Sequence, residues 1–126
     1  MRKLALALLV TAVVGCGGGS SGSAAAEADA SSGRVSTELR DAQRYVPNRF
    51  VNVKPGARVT VELKNTGNLV HSFQSNDLGV PDAVKVDPGK TGSVTFTAPA
   101  AAGSYKFQCT EPGHAEAGMT GEVVVQ

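Results

Sequence analysis

Eleven residues, Cys109-Thr110-Glu111-Pro112-Gly113-His114-Ala115-Glu116-Ala117-Gly118-Met119, bring a thiol, an imidazole and a thioether into one short stretch, with four residues between each of these side chains and the next. A thiolate and a thioether are soft donors that suit Cu(I), and imidazole serves both common states of copper. Two imidazoles and a thiolate in a trigonal set, with a weak axial thioether, make the arrangement used for single-electron transfer. The stretch supplies three of those four donors. The fourth has to be a histidine from elsewhere, and the chain holds one other, His71.

The inventory sharpens this reading. The chain contains two His, two Cys and two Met. Met1 is the initiator and Cys16 follows an apolar leader, so every other His, Cys and Met belongs to the proposed set. Taken singly, each residue has a plainer explanation: an inert buried thiol, a hydrogen-bonded surface histidine, a methionine filling the core. Together, with nothing left over, His71, Cys109, His114 and Met119 read as ligands of one copper ion.

The elements that must hold these donors are strands. Helical periodicity is absent, and alternation is plain. Val59, Val61 and Leu63 point one way while Arg58, Thr60, Glu62 and Lys64 point the other. Val51 and Val53 alternate with Asn52 and Lys54, Val94 and Phe96 with Ser93, Thr95 and Thr97, and Tyr105, Phe107 and Cys109 with Lys106 and Gln108. Turn signals separate the runs: Lys54-Pro55-Gly56, Asn65-Thr66-Gly67-Asn68, Asp87-Pro88-Gly89-Lys90 and Ala98-Pro99. The pattern predicts an all-β fold, a Greek-key β-sandwich of about seven or eight strands. Cys109 then ends one strand and Met119 begins the next, so the loop between them hangs at one pole. His71, starting a neighbouring strand, is presented at the same pole.

This pattern resembles the cupredoxins, the small blue-copper proteins, across nearly all of the folded part. Tyr45 to Gly56 looks like the early strand and its Pro-Gly turn, and Val59 to Asn65 like the next strand, ending in the Asn that precedes the first ligand. His71-Ser72-Phe73 looks like the first copper histidine with its neighbours, Tyr105 to Cys109 leads into the ligand loop, and Gly118-Met119-Thr120-Gly121 leads out of it. Equal gaps of four on both sides of His114 are similar to auracyanin-like and rusticyanin-like members, whereas plastocyanin-like members have a shorter first gap. The resemblance implies one type 1 copper, with His71, Cys109 and His114 as strong ligands and Met119 as the weak axial one.

It also implies a supporting shell. The backbone N–H of Ser72, where many members have Asn, would reach the Cys109 sulfur. Glu111 keeps its N–H while Pro112 has none, so Glu111 is the candidate for a second hydrogen bond. Such bonds favour the reduced state, and a comparatively high potential is expected. Around His114 lie Pro112, Gly113, Ala115, Ala117 and Gly118, which are either a docking patch for a redox partner or simply the small residues a tight loop needs. Leu78-Gly79-Val80-Pro81 is a candidate extension of that rim.

The start of the chain points to export. Met1-Arg2-Lys3 is basic, and Leu4 to Val14 is an apolar run of eleven residues broken only by Thr11. A membrane span needs about 20 such residues, so the run fits a secretory signal instead. It ends in Val13-Val14-Gly15-Cys16, which resembles the lipobox of bacterial lipoproteins. The expected organisation is a signal peptide over 1–15, a lipidated Cys16 with a Gly/Ser/Ala tether over 16–32, and the domain over 33–126. The rival is cleavage at Ala24-Ala25-Ala26 or Ala28-Asp29-Ala30, releasing a soluble product.

Charge excludes more than it suggests. Twelve Lys and Arg face eleven Asp and Glu, and removing Arg2 and Lys3 with the leader leaves ten against eleven. No basic block points to nucleic acid. Arg34, Arg40, Arg44 and Arg49 read as a solvated edge. The expected function is a monomeric, exported, membrane-anchored electron carrier, facing the periplasm or cell exterior and serving redox proteins such as cytochromes or membrane oxidoreductases. The alternative is a copper-binding protein for storage, delivery or resistance. An enzyme is not expected. A copper oxidase or nitrite reductase needs further histidines, and a binuclear centre needs a second Cys within the loop, where only Thr110 to Gly113 separate Cys109 from His114.

Overall fold

Val59, Val61 and Leu63 are fully buried while Arg58, Glu62 and Lys64 are exposed, as period-two alternation requires of a strand with one wet face. In the computed structural model, which describes residues 26–126, this is β5 (Arg58–Asn65). It sits in a four-stranded sheet between β2 (Arg34–Arg40) and β8 (Thr91–Thr97), with β3 (Arg44–Val46) on the far edge of β2. The facing sheet has six strands in the order β1-β4-β10-β9-β6-β7. Those strands are β1 (Glu27–Asp29), β4 (Arg49–Val53), β6 (His71–Ser75), β7 (Val80–Val86), β9 (Gly103–Gln108) and β10 (Thr120–Val125). The sandwich is all-β, and its ten strands exceed the expected count because β1 and β3 are only three residues each.

Between the sheets lies an aromatic cluster centred on Phe107. Its ring stacks on Phe73 at 4.7 Å and Phe50 at 5.2 Å, and meets Tyr45 edge-on at 4.9 Å. All four rings are at most 2% exposed. Aromatic pairs of this kind add about 0.5–1.5 kcal/mol beyond the area they bury, so the cluster ties β3, β4, β6 and β9 together.

Two expectations need correction. In β4 the buried side chains are Phe50 and Val53, with Val51 half-buried, rather than an alternating Val51 and Val53. Asn52 takes a left-handed φ of 60°, and the pairing of β4 with β10 shifts register between Val123 and Val125. The bulge inserts one residue, which turns both Phe50 and Val53 inward. The second correction concerns the tether. Packed structure begins at Glu27, not Gly33: β1 runs parallel to β4, with Glu27 opposite Arg49 and Asp29 opposite Val51, and Ala30 is 2% exposed. Backbone pairing and two small side chains hold this segment, so the lack of any large apolar residue hid it. The signal peptide over 1–15, Cys16 and the tether as far as residue 25 lie outside the described residues.

Truncating the central ring checks this account of the core. Phe107→Ala is expected to cost about 3–5 kcal/mol in denaturant unfolding, as large core deletions do. Ser93→Ala, on the wet face of β8, should stay within about 0.5 kcal/mol of the parent.

Candidate metal centre

Alternation along β9 puts Tyr105, Phe107 and Cys109 on one face, and the strand carries Cys109 to the pole, where it is 1% exposed. The Cys109 N–H donates to the Met119 carbonyl at 3.1 Å, closing the loop that separates them. Inside the loop the His114 N–H donates to the Glu111 carbonyl at 3.1 Å, and the Met119 N–H to the His114 carbonyl at 2.9 Å. His71, the first residue of β6, arrives from the next strand and is fully buried. Donor atoms of His71, Cys109 and His114 all lie within 4.8 Å of one another. The two imidazoles are 5.0 Å apart at 48°, and His114 Nδ1 is 3.5 Å from the Cys109 sulfur. Met119 enters β10 with its side chain wholly buried.

One atom tests whether these residues fit a metal ion. His71 Nδ1 is buried and has no hydrogen-bond partner. A buried polar atom left unpaired costs about 1–3 kcal/mol. Here the bare nitrogen belongs to a cluster whose other donors are a thiol sulfur and a second imidazole. Borderline-to-soft donors in that number suit copper, and the residues fit it.

Ser72 joins the two halves of the site. Its N–H donates to the Cys109 sulfur at 3.3 Å, and its hydroxyl lies 3.6 Å from the same atom. That hydroxyl accepts the Thr110 N–H at 2.8 Å and sits 2.9 Å from the Thr110 hydroxyl. A serine therefore supplies a side-chain link between the two ligand segments. The second donor expected from the Glu111 N–H is instead the Ser72 hydroxyl. The chain enters its turn at Glu111, whose carboxylate pairs with Lys85 Nζ at 3.2 Å.

Beyond the expected supporting shell, several further residues bear on the site. The Tyr45 hydroxyl donates to the Ser72 carbonyl at 2.6 Å, and burial, with the nearby Cys109 second, pushes the phenol above its ordinary range. Asn65 donates to the Leu69 and Val86 carbonyls, both at 2.8 Å, and accepts the Gly67 N–H at 3.0 Å. Asp41 lies 3.0 Å from His71 Nε2. The Asn68 N–H, foremost among its partners, holds this carboxyl below the usual carboxylate range. Arg44 is exposed on the edge strand β3, as expected, and it also donates to the Ala117 carbonyl of the ligand loop at 2.8 Å. Arg49 likewise pairs with Glu27 and Glu122. Local sequence gave no signal for contacts made across 73 positions.

His114 is half-buried, in contrast to the enclosed His71, Cys109 and Met119. Around it Pro112, Gly113 and Ala117 are exposed and Ala115 is half-buried. Leu69, 45% exposed, lies at the same pole, held through its backbone by Asp41 and Asn65. The suggested rim at Leu78 to Pro81 is misplaced. That segment follows the far end of β6, Leu78 is buried, and it borders Arg58 and Thr97 at the opposite pole.

The model of the cupredoxin-like domain matches residues 6–125. Rusticyanin of Acidithiobacillus ferrooxidans is 36% identical over 95 residues, covering 63% of this chain and 51% of rusticyanin. The copper-resistant cuproprotein CopI of Pseudomonas aeruginosa is 26% identical, with 79% of this chain and 80% of CopI aligned. Among solved structures, reduced auracyanin from Roseiflexus castenholzii superposes with a TM-score of 0.62 at 26% identity, covering 74% of this chain and 96% of auracyanin.

Ser72→Ala tests the hydroxyl link. The variant keeps the N–H to sulfur but removes the acceptor of the Thr110 N–H, and should lose about 0.5–1.5 kcal/mol in unfolding of the metal-free protein. A loss under about 0.5 kcal/mol would show that the link contributes little.

Proposed function

The chain belongs to the cupredoxin-like domain family, and on that premise we propose that it is a type 1 blue-copper electron carrier. His71, Cys109 and His114 are its strong ligands and Met119 its weak axial one. The observation that carries this reading is the unpaired, buried His71 Nδ1 grouped with the Cys109 and His114 donors. Copper is the cofactor, and when bound it supplies one-electron chemistry between Cu(II) and Cu(I).

The residues do the rest. Strand ends and the Cys109-to-Met119 hydrogen bond keep the donors in place while the charge at the centre changes, so little reorganises. The N–H and hydroxyl of Ser72 both address the sulfur and favour the reduced state, which supports a comparatively high potential. Half-exposed His114, among Pro112, Gly113, Ala115 and Ala117, is the route by which an electron leaves. A small apolar patch there suits the brief encounters of redox partners such as cytochromes or membrane oxidoreductases. The carrier acts as a monomer and passes electrons without catalysing a reaction; a second copper site would need histidines beyond His71 and His114, the two in the chain.

It is exported, with residues 1–15 as signal peptide and Cys16 lipidated at the membrane. The pairing of β1 supports this over cleavage at Ala28-Asp29-Ala30, which would discard a strand of the sandwich. A second reading, copper resistance, is favoured by the similarity to CopI. Against it, the chain has no spare His or Met cluster from which to pass copper on.

Adding Cu(II) to the purified protein should give an intense blue thiolate-to-copper band, bleached by a mild reductant, restored by an oxidant and absent in Cys109→Ala. A colourless protein that binds only Cu(I) would turn the assignment to copper handling. In the host, Cys16→Ser should move the protein from the membrane to the soluble fraction. An unchanged distribution would remove the lipid anchor.

A further inference from the structure

Asp41 lies 30 positions before His71, in the turn between β2 and β3, yet its carboxylate meets the one side of that imidazole not turned to the metal site. We propose that Asp41 is the positioning residue of the centre: its carboxylate accepts a hydrogen bond from the His71 Nε2–H, keeping the proton there, and so leaves Nδ1 as the bare nitrogen facing Cys109 and His114. The part of this that concerns copper rests on the blue-copper reading.

The chemistry of the pair allows one arrangement. A neutral imidazole carries one N–H, and an ionised carboxylate only accepts. With the proton on Nε2, His71 donates to Asp41 Oδ1 at 3.0 Å. With the proton on Nδ1, a buried N–H would have no acceptor, and the Nε2 lone pair would face the carboxylate's negative charge.

Asp41 is itself held from the other side. Its Oδ2 accepts the Asn68 N–H at 2.6 Å, and its Oδ1 accepts the Leu69 N–H at 3.1 Å. Gly67 lies so close that a Cβ there would overlap the carboxylate. The side chain is 34% exposed, so donors rather than enclosure fix it. The segment leading into β6 thus builds a seat for the carboxylate that orients the first residue of that strand. A carboxylate on the far nitrogen of a ligand histidine also raises its basicity, and losing such a partner typically costs ten- to a hundred-fold in metal affinity. The more highly charged Cu(II) should feel that loss more than Cu(I).

The test uses the full chain with ¹⁵N-labelled histidine, first free of metal at alkaline pH, well above the ordinary imidazole pKa of about 6.5. Nitrogen shifts should report His71 protonated at Nε2 and bare at Nδ1, changing to a mixture of tautomers in Asp41→Ala. Asp41→Asn keeps an oxygen for the Nε2 proton while losing the charge, and should retain the tautomer. With copper bound, both variants should lower the ratio of Cu(II) to Cu(I) affinity about tenfold, which is a rise in potential of about 59 mV. Gly67→Ala, which displaces the carboxylate without removing it, should shift the potential in the same direction, and Asp82→Asn should not. A His71 protonated at Nδ1 in the parent protein would overturn the proposal. So would a tautomer and potential unmoved in Asp41→Ala, even if that variant melted earlier. A parent protein with the expected tautomer but no blue band would remove the electron-carrier reading and leave the hold of Asp41 on His71 standing.

Discussion

The hydrogen bond from the Cys109 N–H to the Met119 carbonyl is the constraint on which the site depends. It continues the β9–β10 ladder, whose adjacent pair is Thr120 opposite Gln108, by one more rung. The soft donors at the two ends of the loop are therefore placed by the sheet itself. The intervening residues have only to set His114, and two backbone bonds, one on each side of the imidazole's own residue, do so. Each such bond contributes only about 1 kcal/mol net. Their effect is geometric, since they leave the loop little freedom to follow a change of charge at its centre.

The other half of the site is carried by β6, and a single buried polar residue joins it to the first. Ser72 faces the sulfur with its N–H and hydroxyl, Thr110 with its hydroxyl oxygen, and Tyr45 with its carbonyl. Directly below, Phe73 and Phe107 stack at the centre of the core. A polar cluster over an aromatic floor is costly unless its members are paired. Here they are, and the His71 nitrogen that stays bare belongs to the group of donors formed with Cys109 and His114.

Much of this was legible because its signals are local. Period-two alternation located β5, β8 and β9, and the spacing of Cys109, His114 and Met119 pointed to a shared loop between two strands. What escaped was set by tertiary contact. Nothing near Asp41 announces that its partner is His71, and Arg44 looks like any surface arginine until its contact with Ala117 is seen. The bulge at Asn52 defeated the alternation rule because one inserted residue reverses every facing beyond it. β1 escaped for the opposite reason. It is held by backbone pairing to β4 and by the salt bridge of Glu27 with Arg49, and a string of Ala, Glu and Asp carries no apolar pattern to read.

The direction of β1 has a consequence for orientation. It runs parallel to β4 and β10, and β10 leads away from the ligand loop, so the first residue of β1 is its end nearest that loop. The chain before Glu27 therefore leaves the sandwich on the metal side. From Cys16 to Ala25 is ten residues, at most about 36 Å of extended chain. An anchor at Cys16 would keep the pole that carries His71, Cys109 and His114 close to the bilayer surface and leave the opposite pole pointing into the aqueous space.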